Sequence, residues 1–213
     1  MSPDTRVTRP DYGGAVTAIG FDLDMTLIDS RPGIGATLRR IAEESGYAID
    51  VELATSRLGP PLDWELAHWL PADHVDRWAD RYRELYSTIA IAAIEVLPGA
   101  HEAIRATNRY GHSMVVSAKH TPNVQLHVDH LGLEVGSVFG GAWREQKADV
   151  LLENGATMYV GDHEHDMIAA RLAGVVGVGV TTGGTSAEAL REAGADVVIA
   201  SLLDFDTALL LLP

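Results

Sequence analysis

Two pairs of aspartates stand where a carboxylate could attack phosphorus or hold a divalent cation. Asp22 lies near the end of an apolar, β-rich segment at residues 15–23, and Asp24 directly follows that segment. Asp162 and Asp166 follow a second apolar segment. A carboxylate is a competent nucleophile towards phosphorus, and a neighbouring carboxyl group can act as general acid and base. If the fold brings them together, these aspartates predict phosphoryl-transfer chemistry.

A hydroxyl group and an ammonium group complete the candidate set. Ser117 ends a short apolar run, and Lys147 stands at the predicted start of a helix. Lys147 can neutralise Asp22 and the transferred oxygens, while Ser117 and loop N–H groups can hold the remaining oxygens. The only other lysine, Lys119, lies two residues after Ser117 and could touch phosphate, but we expect it to matter less than Lys147.

The elements that must position these residues alternate between strand and helix from residue 97 onward. Such alternation predicts a parallel sheet with helices on both faces, and ligands bind beyond the carboxyl ends of its strands. The aspartates, the hydroxyl and the lysine should therefore meet at one edge. The predicted strands are residues 15–23, 113–117, 135–139, 157–160, 175–180 and 197–200. The predicted helices are residues 98–110, 122–131, 147–154, 166–173 and 186–193.

The segment between the first strand and this alternation has a different pattern. In residues 31–96, apolar side chains recur at helical spacing and prolines interrupt the pattern. We predict a Rossmann-like α/β core made of residues 15–30 and 97–213, with a helical cap at residues 31–96 inserted after the first strand. Residues 1–14 are polar and predict a flexible tail.

Carboxylates gathered at one edge need a positive charge. Packed together they repel each other and raise each other's pKa unless a cation lies among them. Mg²⁺ is a hard cation that binds oxygen, usually through one or two carboxylates together with waters and substrate phosphate. The sequence therefore predicts a magnesium site.

Four segments resemble, in order, the four motifs of the haloacid dehalogenase (HAD) superfamily. They are residues 21–27 (FDLDMTL), residues 115–117 (VVS), Lys147 and residues 161–166 (GDHEHD). The helical insert resembles the C1 cap of phosphoglycolate phosphatase-like members. The resemblance implies a magnesium-dependent phosphatase that hydrolyses a small phosphorylated metabolite, phosphoglycolate-like or another phosphomonoester, through an aspartyl-phosphate intermediate.

The resemblance also implies a role for each residue. Asp22 would be nucleophile and metal ligand, and Asp24 would be acid/base with its backbone carbonyl on the metal. Asp162 would bind the metal, and Asp166 would act through water or as a partner of Lys147. The implied catalytic set is Asp22, Asp24, Ser117 and Lys147, and the implied phosphate and substrate set is Leu23, Thr26, Ala118 and Arg57.

Two positions depart from the family pattern. Met25 stands where many members have glycine, at a place where the first motif tolerates variety. Ala118 stands where many members have asparagine, which removes an amide contact to phosphate. In the insert, residues 57–61 (RLGPP) resemble a cap loop that faces the active site. The alternative is a proline-broken helix connection with a solvated arginine.

Other activities on the same motifs differ in what they require. Haloacid dehalogenases proper lack a second aspartate at the position of Asp24, and phosphonoacetaldehyde hydrolases need a cap lysine, which residues 31–96 do not contain. A sugar-phosphate mutase shares all four motifs. A catalytically silent binding or regulatory protein can use the same fold. Both stay open as alternatives.

The composition limits the kinds of partner and the cellular location that we expect for the protein. The chain has 213 residues and a net charge of -14, so neither nucleic acid nor an anionic membrane is an expected partner. It has no cysteine, which excludes disulfides and thiol nucleophiles. Without a secretory signal or an apolar run of about 20 residues, we expect a cytoplasmic protein, either monomer or homodimer. A histidine group has surface or packing roles, with a zinc site as the alternative: His120, His127, His130, His163 and His165.

Overall fold

A six-stranded parallel sheet forms the centre of the structure, a computed structural model that describes residues 17–211. The predicted tail at residues 1–14 and the start of the predicted first strand lie outside the described residues. The strands are β1 (Thr17–Phe21), β2 (Ile28–Asp29), β3 (Glu95–Val96), β4 (Gly111–Val116), β5 (Ser137–Phe139), β6 (Ala156–Gly161), β7 (Val176–Val180) and β8 (Val197–Ile199). The large sheet has the order β5-β4-β1-β6-β7-β8, and β2 and β3 form a separate pair.

A helical insert at residues 31–94 leaves and re-enters the core through that small pair. Ile28 of β2 lies opposite Val96 of β3 in an antiparallel ladder, so the two ends of the insert run side by side. The sequence predicted the insert but not this ladder, because two-residue strands are too short to show an alternation. Its helices are α1 (Arg31–Ser45), α2 (Val51–Ser56), α3 (Leu62–Leu66) and α4 (Val75–Ile89), with 3-10 turns at Ala72–His74 and Ile91–Ala93.

Helix α4 carries the apolar face of the insert. Side chains three or four residues apart share one face of a helix, and the buried residues of α4 have that spacing. They are Val75, Trp78, Ala79, Tyr82 and Tyr86. The last two bring their aromatic rings to the boundary between the insert and the core.

The register of β1 explains why the candidate residues meet. Phe21 lies opposite Val115 of β4 on one side and Val160 of β6 on the other. All pairings in the large sheet are parallel, so the carboxyl ends of its strands lie at the same edge. Asp22 and Asp162 directly follow β1 and β6 and emerge there together.

Helices cover both faces of the sheet, which confirms the predicted α/β core with its helical insert. The core helices are α5 (Ala100–Tyr110), α6 (Thr121–Leu131), α7 (Glu145–Glu153), α8 (Glu164–Ala173), α9 (Ala187–Ala193) and α10 (Phe205–Leu209). Successive strand residues point to opposite faces. Accordingly, Val115 packs in one buried cluster with Ile104 of α5, whereas Met114 and Val116 pack in another with Leu151 of α7.

Some boundaries differ from those predicted. Helix α7 begins at Glu145, so Lys147 lies within its first turn rather than at its start. Helix α10 was not predicted, because a five-residue helix is too short to show a helical period; its Phe205 packs against Phe21 with ring centroids 5.4 Å apart. Among the described residues, no helix is both long enough and apolar enough to cross a membrane.

Candidate active site

A tight turn after β1 presents the first two aspartates. Met25 has φ +61°, a left-handed conformation that side chains rarely adopt. Its N–H donates to the carbonyl of Ile28 at 2.8 Å, and its own carbonyl accepts from the hydroxyl of Thr182. This conformation explains why glycine suits the position. Asp22 and Asp24, which flank Leu23 just before this residue, both line a cavity.

Three aspartates form a buried acidic cluster. Carboxylate oxygens of Asp22, Asp162 and Asp166 all lie within 4.8 Å of one another. Burial raises the pKa of Asp22 to about 7; the charge of Lys147 opposes this, and the charges of Asp166 and Asp24 add to it. Burial, followed by the charges of Asp166 and Asp22, holds the pKa of Asp162 well above its usual range. The cluster therefore has more negative charge than its protein partners neutralise.

Lys147 supplies part of the missing positive charge. Its Nζ lies 2.8 Å from Asp22 Oδ1 and 2.6 Å from Asp166 Oδ1, and its side chain is buried. Burial lowers the pKa of this ammonium group, but the charges of Asp166 and Asp22 more than compensate and hold the pKa well above its usual range. Lys147 is therefore a charged partner of the predicted nucleophile.

Asp166 is held on both carboxylate oxygens. Besides Lys147, Oδ1 accepts from the hydroxyl of Tyr159 at 3.3 Å, and Oδ2 accepts from the backbone N–H of His163 at 3.1 Å. The last contact belongs to a capping box at the start of α8. In the other half of this capping box, the His163 side chain accepts from the backbone N–H of His165. Asp166 was expected either to act on the metal through water or to be a partner of Lys147, and this geometry favours the role of partner.

Asp162 is positioned by its neighbours on two sides. Its Oδ1 accepts from the hydroxyl of Thr26 at 3.1 Å. A Cβ placed on Gly183 would lie only 1.8 Å from its Oδ2, so only glycine fits there. The Gly183-Gly184 pair is visible in the sequence as a turn signal, but nothing local shows that it packs on an aspartate.

The second lysine contacts the other aspartate of this turn and a tyrosine of the insert. Lys119 Nζ lies 2.8 Å from Asp24 Oδ1 and donates to the hydroxyl of Tyr86 at 2.9 Å. That hydroxyl lies 2.8 Å from Nε2 of His127. Burial raises the pKa of Asp24, but the charge of the nearby Lys119 outweighs it, so the pKa lies below its usual value.

A cavity of about 310 Å³ opens above these residues. Asp22, Asp24 and Ser117 line one side of it, and the insert lines the other with Tyr82 and residues 58–62. Its volume is within the range of small-molecule sites. A Cβ on Gly59 would lie 2.7 Å from the ring of His163, so this insert loop is in close contact with the core.

The predicted phosphate and substrate residues have different positions. Ala118 lines the cavity, and Ser117 beside it accepts from the backbone N–H of Lys119 at 3.2 Å. The side chains of Leu23 and Thr26 are fully buried. Arg57 is not among the lining residues, because Glu65 holds its guanidinium group through two hydrogen bonds of 2.9 Å.

The predicted histidine group is dispersed. His127 pairs with Tyr86, His163 caps α8, and His165 packs edge-on against Trp143 at 5.6 Å. Among the residues that the structure describes, the aspartate cluster is the one group of three with metal-ligand geometry. His127, His163 and His165 therefore have packing and capping roles, and the described residues show no metal-ligand geometry that includes a histidine.

The family model of the haloacid dehalogenase-like hydrolases matches residues 19–180. That span includes all four predicted motifs and the insert. The chain belongs to this family. The family resemblance inferred from the four motifs is thereby confirmed, and so is the assignment as a hydrolase.

Relatives of this HAD-like hydrolase align over nearly the whole chain. A phosphoglycolate phosphatase of Caulobacter vibrioides is 29% identical over 231 residues, which cover 94% of this chain and 93% of the relative. A phosphoglycolate phosphatase of Escherichia coli K12 is 28% identical over 236 residues, which cover 91% of this chain and 92% of the relative.

Solved structures show the same fold. A haloacid dehalogenase-like hydrolase of Streptococcus pneumoniae superposes with a TM-score of 0.81 at 22% identity, over 91% of this chain and 98% of that one. A Thermotoga maritima protein described as a candidate β-phosphoglucomutase superposes with a TM-score of 0.68 at 20% identity, over 92% of this chain and 100% of that one. These likenesses concern the architecture, which hosts more than one activity.

Proposed function

We propose that this HAD-like hydrolase is a magnesium-dependent phosphatase that hydrolyses a small phosphomonoester through a phosphorylated Asp22. The observation that carries the proposal is the setting of Asp22. Its carboxylate is buried, contacts Lys147, forms an acidic cluster with Asp162 and Asp166, and lines a cavity together with Asp24. Relatives named phosphoglycolate phosphatases, similar over nearly the full length, support the same reaction class.

The acidic cluster fits a magnesium ion. It offers carboxylate oxygens, the donors that Mg²⁺ prefers, and it is short of positive charge. Asp22, Asp162 and the backbone carbonyl of Asp24 would hold the ion, while Asp166 fixes Lys147 and acts on the ion through water. When bound, the ion neutralises negative charge on the cluster and on the phosphoryl oxygens.

In the first step, Asp22 takes the phosphoryl group. A carboxylate oxygen of Asp22 bonds to phosphorus while the ester P–O bond breaks, and the carboxyl group of Asp24 gives its proton to the departing alkoxide. The products are the free alcohol and an acyl phosphate on Asp22. Lys147 and the N–H groups after β1 and β4 neutralise charge that develops on the transferred oxygens.

In the second step, water releases the phosphate. Asp24, now a carboxylate, takes a proton from water as the water oxygen bonds to phosphorus and the bond to Asp22 breaks. Inorganic phosphate leaves, and both aspartates return to their starting states. Lys119 favours the ionised Asp24 that this step needs. The negative charge of an arriving phosphoryl group opposes Lys119 and favours the proton that the first step needs.

Hydrolysis of p-nitrophenyl phosphate with and without Mg²⁺ tests the proposal. Asp22→Asn should lower kcat by about 10³-fold or more, since an amide is a poor nucleophile. Asp149→Asn makes the same substitution at an exposed aspartate of α7 and should retain full activity. EDTA should abolish turnover, and Mg²⁺ should restore it.

Two outcomes would count against the proposal. Undiminished hydrolysis by Asp22→Asn would refute the role of Asp22 as nucleophile, and metal-independent turnover would refute the role of Mg²⁺. Product analysis with a hexose 1-phosphate distinguishes the mutase alternative, because a phosphatase yields hexose and inorganic phosphate whereas a mutase yields hexose 6-phosphate.

A further inference from the structure

The cavity wall opposite Asp22 lies where it would contact the leaving group of a bound phosphomonoester. From the charges on that wall, and resting on the proposed function, we infer that the preferred substrates are phosphomonoesters of uncharged, largely apolar alcohols. The enzyme would then discriminate against leaving groups that carry a carboxylate or a second phosphate. Phosphoglycolate, whose leaving group is the glycolate anion, belongs to the disfavoured class.

The cations on the insert side are already paired. Arg83 lines the cavity, but its guanidinium group is bound at 2.9 Å to Asp63 and at 2.9 Å to Asp80. Its remaining nitrogen, Nε, is buried from solvent and so does not face the cavity. Arg57 is bound to Glu65 at 2.9 Å. Both arginines are therefore already paired with carboxylates of the insert.

The cation on the core side is paired as well. Lys119 lies 2.8 Å from Asp24, beside the reacting group, and its charge is balanced there. His120 is, among the described lining residues, the one side chain outside an ion pair that can gain a positive charge. It is exposed, and water and salt screen exposed charges strongly.

The rest of the insert wall is acidic or apolar. Asp63 and Glu65 also line the cavity, but their carboxylates are the partners of Arg83 and Arg57. The apolar lining of the same wall includes Ile34, Leu58, Pro60, Leu62 and Tyr82. An anionic leaving group would lose hydration without gaining an unpaired cation as partner, whereas an apolar group would be removed from water. A mutase, which must hold a bisphosphate, would face the same cost.

Phenyl phosphate and 4-carboxyphenyl phosphate are the matched probes. They share the ring and the scissile bond, and the carboxylated phenol is at least as good a leaving group, so chemistry alone would not favour phenyl phosphate. For the wild-type enzyme with Mg²⁺, we expect kcat/KM to be about tenfold or more higher for phenyl phosphate. Ethyl phosphate should likewise be preferred to phosphoglycolate.

A charge placed on the wall should change that ratio. Leu58 is half-buried in the insert loop and lines the cavity. Leu58→Arg should reduce the preference for phenyl phosphate about tenfold, whereas Leu58→Gln, polar but uncharged, should leave the ratio unchanged. Asp63→Asn, which frees one side of Arg83, should act in the same direction as Leu58→Arg.

The outcomes separate this inference from the proposed function. Equal or better hydrolysis of the carboxylated ester by the wild-type enzyme would overturn the inference and leave the phosphatase intact. An equal effect of Leu58→Arg and Leu58→Gln would overturn the role assigned to charge. Absence of hydrolysis of both probes and of p-nitrophenyl phosphate would refute the proposed function, and this inference with it.

Discussion

The two lysines of the chain bind the two aspartates of the first turn in different surroundings. Lys147 lies within the core, where its Nζ contacts Asp22 at 2.8 Å and a second core aspartate at 2.6 Å. Lys119 joins the core to the insert, since its Nζ contacts Asp24 at 2.8 Å and the hydroxyl of Tyr86 at 2.9 Å. The surroundings of the proposed nucleophile, Asp22, are therefore set by the core alone, whereas those of the proposed acid/base group, Asp24, also include the insert.

The charge balance differs in the same way. The pKa of Asp22 is raised to about 7 by burial despite Lys147, so this side is short of positive charge. The pKa of Asp24 is lowered, because the nearby charge of Lys119 outweighs burial. The acidic cluster beside Lys147 therefore favours a bound cation, whereas the charge of Asp24 is already matched by Lys119.

The largest effect is expected on the Lys147 side. Lys147→Met should lower kcat by about 10³-fold, because it removes a preorganised charge from the nucleophile and the phosphoryl oxygens. It also leaves carboxylates buried without a partner, which should cost about 3–5 kcal/mol of unfolding free energy. Steady-state kinetics and thermal unfolding measure the two effects. If the variant retained more than a tenth of the wild-type kcat, the two lysines would not differ as described.

Loss of Lys119 should be less severe and should appear in the pH profile. Lys119→Met should lower kcat by about 10–100-fold. Without the lysine, burial dominates and raises the pKa of Asp24, so the acidic limb of the kcat profile, where Asp24 must be ionised, should move to higher pH. A profile from pH 4 to 9 checks this. An unmoved limb would show that Lys119 does not act on Asp24.

A smaller effect is expected from the insert side of the same contact. Tyr86→Phe keeps the ring but removes the hydroxyl between Lys119 and His127, a loss of about 1 kcal/mol per hydrogen bond. We expect a three- to tenfold fall in kcat with little change in KM. Tyr47→Phe is the control, because it breaks a similar contact with His74 within the insert. Equal effects of the two variants would mean that Tyr86 acts only on folding.

The smallest effect concerns stability. In the metal-free protein, the pKa of Asp22 is about 7 when folded and near 3.8 when unfolded, so the folded state holds the proton more tightly. Its contribution to stability is then fully present below pH 4 and is lost as pH rises through 7. Mg²⁺ should therefore raise the Tm by a few degrees more at pH 8 than at pH 5. Asp22→Asn should reduce this difference, and a pH-independent Mg²⁺ effect would contradict it.

The core half of the site could be predicted from the sequence. Asp22, Ser117 and Asp162 each follow an apolar strand, and parallel strands bring such residues to one edge whatever their separation along the chain. Lys147 was found because the chain has only two lysines and this one stands where a helix begins. The α/β core and the helical insert followed from periodicities that extend over many residues.

The insert half of the site could not be predicted, because it depends on how the insert packs against the core. Nothing near Lys119 indicates that Tyr86, 33 residues away in the insert, binds its ammonium group. The pairing of Arg57 with Glu65 forms within the insert, between the end of α2 and α3, and no short-range pattern in the sequence indicates it. The packing of Gly183 on Asp162 likewise requires the loops of two strands to be in place.

The most direct measurement is to trap the phosphorylated enzyme. The protein is mixed with a phosphomonoester and Mg²⁺, quenched in acid within the first turnover, and mapped by peptide mass spectrometry. We predict one phosphoryl group on Asp22, absent from Asp22→Asn and present in Asp149→Asn. A phosphoryl group on any other residue, or none during active turnover, would contradict the account.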